Sequence, residues 1–132
     1  MNAMMNMKVF LIVVMFALGG CAGEVLRHPS DLLTGNPQES KRYVAQKTIA
    51  LTLDSGYART IHVGAEFLEI GTTAQGVVFK PVNIAFTVEG AHMHEAYPVV
   101  SNGRIVGFYL PVERAFSPLS QSVEFSIQQR NP

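Results

Sequence analysis

"EAYPVVSNGRIVGFYLPV", residues 95–112, decides the fold class of this chain. Asn102-Gly103 lies between two runs rich in β-branched and aromatic side chains. A two-residue Asn-Gly loop suits a type I′ turn, because both residues must tolerate positive φ. The stretch therefore predicts a β-hairpin, with residues 105–110 (IVGFYL) as the returning strand. Pro98 and Pro111 each lack a backbone N–H, so both predict an edge or a bend near the outer ends. Strict alternation sets Val106, Phe108 and Leu110 on one face, and Ile105, Gly107 and Tyr109 on the other. Both faces of this arm carry apolar groups. Either the strand is central and buried on both sides, or Tyr97, Phe108 and Tyr109 form an exposed patch that docks a partner. Gly107 leaves space for a ring, from the core or from that partner.

Outward from the hairpin the period of two persists. Ile49, Leu51 and Leu53 alternate with Ala50 and Thr52, and Asp54-Ser55-Gly56 follows as a turn. Residues 57–63 (YARTIHV) form a second strand candidate, and 66–70 (EFLEI) is ambiguous. Residues 71–76 (GTTAQG) read as a loop, and 77–79 as a short strand. In 82–90 (VNIAFTVEG), Val82, Ile84, Phe86 and Val88 share one face, which predicts a strand throughout. Residues 113–120, with Pro118, read as a loop, and Val123, Phe125 and Ile127 as a last strand. No segment holds a helical period. The chain is expected to be all-β: a small antiparallel sandwich or barrel of about seven short strands.

The N-terminus is of another kind. Lys8 precedes ten uncharged apolar residues, 9–18 (VFLIVVMFAL). That run is too short to span a bilayer, which needs about 20 residues. It has the length of the apolar region of a secretory signal peptide. Leu18-Gly19-Gly20-Cys21 follows, with the chain's single cysteine. This tetrapeptide resembles the lipobox of bacterial lipoproteins. The resemblance implies cleavage between Gly20 and Cys21, diacylglycerol on the Cys21 sulfur and an acyl chain on its amine. Several acyl chains on one residue anchor stably, where one binds marginally. By analogy with the sorting rule of enteric bacteria, Ala22 after the cysteine implies the outer membrane, on its periplasmic face. The expected organisation is a cleaved signal peptide over 1–20, a lipidated cysteine and flexible tether over 21–42, and a β domain over 43–132.

Lys and Arg number 10, as do Asp and Glu, so the formal net charge is +0. Without a basic stripe the chain is not expected to bind nucleic acid. Once Cys21 carries lipid, no thiol remains for a disulfide or for nucleophilic catalysis. A Gly-x-Ser-x-Gly elbow is missing, and no carboxylate pair shares a strand face across a cleft. No enzymatic activity is expected, and no cofactor beyond the covalent lipid. The residues 90–98 (GAHMHEAYP) offer the one cluster with ligand chemistry. On a regular strand His92 and His94 share a face about 7 Å apart. They are compatible with one metal ion if a third ligand, His62 by type, comes from elsewhere.

Two functions remain. One is a lipid-anchored, non-catalytic interaction or structural module of an envelope assembly, with a protein partner in addition to the membrane. The other is a periplasmic metal- or small-ligand-binding lipoprotein that uses His92 and His94. An inhibitor of a foreign envelope-degrading enzyme stands behind both.

Overall fold

A computed structural model describes residues 24–90 and 92–131. Among them the strands are β1 His28–Pro29, β2 Leu33–Thr34, β3 Arg42–Ala45, β4 Ile49–Thr52 and β5 Ala58–Ile61. There follow β6 Glu66–Thr73, β7 Gly76–Pro81, β8 Thr87–Glu89, β9 Met93–Glu95 and β10 Tyr97–Ser101. The last are β11 Arg104–Leu110, β12 Ala115–Glu124 and β13 Ile127–Arg130. Pro37–Glu39 makes a single 3-10 turn. The chain is all-β, and every strand pairing is antiparallel.

Nine strands make one sheet, in the order β1-β12-β11-β10-β7-β6-β3-β13, with β2 on β6. β12 and β13 lie towards opposite ends of that order, yet only Phe125 and Ser126 separate them in the chain. One bent segment thus runs from beside one edge strand to the opposite edge, and the sheet is rolled. Phe125 anchors the bend: its ring meets those of Phe67 and Phe79 edge-on, at 5.3 and 5.4 Å between centroids. The inner face carries the main core, with Phe67, Phe79, Ile105, Phe108 and Leu110 from the sheet. The β4–β5 hairpin adds Ile49, Leu51 and Ile61 to it, and Phe86 and Val88 close over it.

The opposite face carries a second cluster: Val78, Tyr97, Val99, Tyr109 and Phe116, with Leu32, Ile70 and Val106 against it. The segment before β3 lies there. It pairs with β12 at His28 and Pro29, and with β6 at Leu33 and Thr34. Between these points the Ser30 hydroxyl donates to Gln75 Oε1 (2.8 Å), and the Ser30 N–H to the Arg114 carbonyl (3.1 Å). The flexible tether expected over 21–42 is therefore corrected from residue 28 onward. That stretch is a strap across the sheet, held by backbone pairing that leaves no mark in its side-chain pattern.

The hairpin at 95–112 forms as expected, with Asn102 at φ 52° and Gly103 at φ 72°. Its predicted faces need one correction. Against β10, the pairing jumps from Val99–Gly107 to Val100–Ile105, so Val106 is an extra, bulged residue. The bulge moves Ile105 to the inner face beside Phe108 and Leu110, and Val106 to the outer face with Tyr109. Pro98 is buried within β10, yet the ladder to β7 begins only at Val99, so its missing N–H breaks no pairing there.

Three other segments differ from expectation. Residues 71–76 are not a loop: β6 runs through Thr73 and β7 starts at Gly76. Residues 115–120 belong to β12, and Pro118 sits where its ladder to β11 loses register. The strand expected over 82–90 survives only as β8. Upstream of it the Asn83 side chain accepts from the Glu66 N–H (2.7 Å) and donates to the Gly64 carbonyl (3.3 Å). Side-chain bonds of this kind compete with a backbone ladder, and Ile84 ends exposed.

Candidate binding cleft

Cys21 and Gly20, the lipidation and cleavage residues, fall outside the described residues. The three histidines do not converge. His92 lies before β9 and is exposed, and His62 is exposed at the end of β5. His94 is buried, with Nδ1 2.7 Å from Glu113 Oε1. Among the described residues no three His, Cys, Asp or Glu side chains come together to hold a metal ion. His94 instead ties β9 to the turn between β11 and β12. Burial, the largest single influence, pushes the Glu113 carboxyl up, but the bond from His94, the backbone N–H of Glu113 itself and the charges of His94 and Arg27 together outweigh it and leave the pKa below its ordinary value. The second oxygen, Oε2, is buried without a partner among the described residues.

The proposed patch of Tyr97, Phe108 and Tyr109 is likewise corrected. All three are buried, at 9%, 1% and 5% exposure. Phe108 belongs to the inner core, and both tyrosines to the outer cluster. The space above Gly107 is filled by the Phe116 ring, where a side chain on residue 107 would collide. Tyr97 donates its hydroxyl to Glu95 Oε1 at 3.0 Å. Burial first, then that carboxylate, pushes its pKa up to about 12.

An opening does exist elsewhere. A cleft of ≈ 570 Å³ lies between residues 58–65 and 83–86. No β4 residue lines it, so it borders β5 on the side away from β4, its one partner strand among the described residues. Antiparallel pairs alternate between bonded and non-bonded. Leu53 N–H donates to the Tyr57 carbonyl, which makes Leu51–Arg59 and Ile49–Ile61 the next bonded pairs. The backbone groups of Ala58 and Thr60 then point outward, into the cleft.

Arg59 gives the cleft its chemistry. Its guanidinium carbon lies 5.0 Å from the centre of the Phe86 ring and 6.0 Å from that of Tyr57. Phe86 in turn stacks on Phe108, 5.4 Å between centroids, so the core fixes the ring beneath the cation. Arg59 Nε is buried and has no acceptor among the described residues. No Asp or Glu lines the cleft; His62 and Asn83 are its other polar ring-nitrogen and amide groups. Val63 and Ile84 put exposed apolar surface on the rim. A hollow of ≈ 670 Å³ beside Arg42 and Arg130 differs, because both arginines are already bound to Glu66.

Arg59 is absent from the residues singled out in the sequence, although a signal for it is there. In YARTIHV it shares a face with Tyr57 and Ile61, and a cation on the inward face of an alternating strand needs a reason. No known protein family, curated protein or solved structure matches this chain.

Proposed function

We propose that this protein is a lipid-anchored, non-catalytic interaction module of an envelope assembly, held on the periplasmic face of the outer membrane. The anchor rests on the apolar run 9–18 and the Leu18-Gly19-Gly20-Cys21 motif. The observation that carries the module reading is the cleft beside β5. It combines an unpaired strand edge, an apolar rim and a cation fixed by aromatic rings. Those are means of holding a partner. His94, buried and bonded to Glu113, fastens two elements of the scaffold to each other.

The test is capture from native envelope. The full chain, tagged at its C-terminus, is crosslinked in cells, and the outer membrane is solubilised and analysed by mass spectrometry. A Cys21→Ser chain runs beside it. A stoichiometric partner recovered with the wild type and lost with Cys21→Ser is the expected result. Recovery of the protein alone from both would remove the module reading.

A further inference from the structure

We propose that the cleft beside β5 receives an extended, acidic segment of a partner protein, which adds to β5 as a new strand and sets a carboxylate against Arg59. This deepens the module reading and rests on it.

The backbone argument comes first. Among the described residues β5 has one neighbour, β4, and its other edge turns the N–H and C=O of Ala58 and Thr60 into the cleft. A strand edge that meets an open cleft is a template for main-chain pairing. The far wall, residues 83–86, forms no strand that could occupy this edge, because Asn83 is bonded to Glu66 and Gly64 instead. An added strand needs about 4.8 Å beside β5.

The charge argument decides what the strand carries. Among the described residues Arg59 has a buried donor without an acceptor, and no acid lines the cleft. A donor left unpaired in a buried place is costly, and an acceptor that reaches the guanidinium relieves that cost. Phe86 holds the cation in place before anything binds, so little side-chain freedom is lost on binding. Apolar neighbours of the acid would then rest on Val63 and Ile84.

A photo-crosslinking residue replacing Val63 in the full-length, membrane-anchored chain tests this. The same residue at Leu33, which is exposed on the strap, is the control. An adduct with a protein is expected from position 63 and not from 33. Arg59→Gln and Thr60→Pro should each cut the adduct about tenfold or more; thermal melting checks that both variants are folded. Proline at position 60 removes an outward N–H and leaves the β4 ladder intact. Peptide mapping should place the adduct in a segment with an Asp or Glu. Arg59→Glu should abolish the adduct, and an acid-to-arginine change in the mapped segment should restore it.

An adduct that persists undiminished in both variants overturns the inference, as does an adduct with a lipid or other small molecule. A Cys21-dependent partner recovered without any adduct at position 63 also overturns it and leaves the module reading standing. No Cys21-dependent partner at all removes the module reading itself.

Discussion

The two apolar clusters lie on opposite faces of the same strands, yet they are built in different ways. The inner cluster is closed by elements that bring their own hydrogen-bonded partners: the β4–β5 hairpin, β8 against β9, and the Phe125 bend. The outer cluster is closed by a strap whose two strands have two residues each. Two strap side chains meet that cluster: Leu32, and the His28 ring, which lies edge-on to Phe116 at 5.5 Å between centroids. The inner face is thus held by side chains, the outer face largely by backbone pairing at its margins. It follows that the two faces should fail differently. Loss of inner packing should unfold the domain, and loss of the strap should open one face of a sheet that otherwise stays formed.

The largest effect is expected at Phe108, which is buried in the inner cluster and stacks on Phe86. Phe108→Ala should cost about 3–5 kcal/mol, the range for removing a core phenylalanine. Denaturant unfolding should show it as a lowered midpoint. Amide exchange should rise across β6, β7, β10 and β11 together. The Arg59 cleft should loosen too, because Phe86 loses its support.

Gly71 probes the outer face. A β-carbon there would collide with the Leu33 carbonyl, so β2 must leave β6 to make room. Gly71→Val should cost about 1–3 kcal/mol, as overpacking does. Exchange should rise at residues 28–35 while β11 keeps its protection. Tyr97 gives an independent readout. Its pKa of about 12 reflects burial in the outer cluster, against which Leu32 of the strap packs, and then Glu95. In Gly71→Val it should titrate closer to the ordinary tyrosine value of about 10. Because the folded value is raised, the wild type keeps its full stability below about pH 10 and loses part of it as pH rises towards 12. Gly71→Val should flatten that loss. Equal loss of protection on both faces would end the distinction between them.

The same contrast explains how much was legible in the sequence. Elements closed by neighbours in the chain could be read. Asn102-Gly103 encodes its turn locally, and Ile49, Leu51 and Leu53 encode a half-buried strand through their own alternation. What depended on distant backbone could not. His28 and Pro29 pair with residues far along the chain, and neither side chain shows it. The Val106 bulge exchanges the faces of Ile105 and Val106; Gly107 beside it reads as a bend or bulge, but its residue type does not say which neighbour is extra. The strand expected over 82–86 was lost to the side chain of Asn83, a competitor that periodicity ignores. Of the candidate site, the apolar aromatics in the hairpin were visible but not their burial. Arg59 was visible as a cation on an inward face, but the Phe86 ring that makes it meaningful comes from another element.

Leu32 separates the two contributions to the strap. Its side chain is half-buried on the outer cluster, whereas Leu33 beside it is exposed. Leu32→Ala should cost about 1–2 kcal/mol, below the range for a fully buried leucine. Leu33→Ala, which keeps the β2 backbone pairing, should cost almost nothing.

The smallest effect concerns the turn on which the strap lands. Arg114, whose carbonyl accepts the Ser30 N–H, follows Glu113, and Glu113 is bonded to His94. The Glu113 carboxyl is held below its ordinary pKa. Its contribution to stability is therefore fully present above the usual carboxylate range, and it is lost as pH falls through the lowered folded value. Exchange at Ser30 should rise on acidification through that window, and before exchange at Ile105 or Phe108. Glu113→Gln should remove the pH dependence at Ser30 and cost about 1 kcal/mol at neutral pH, the scale of one hydrogen bond. If Ser30 and Phe108 instead lost protection at the same pH, acid would be acting on the whole domain. The strap would then be no weaker than the core it crosses.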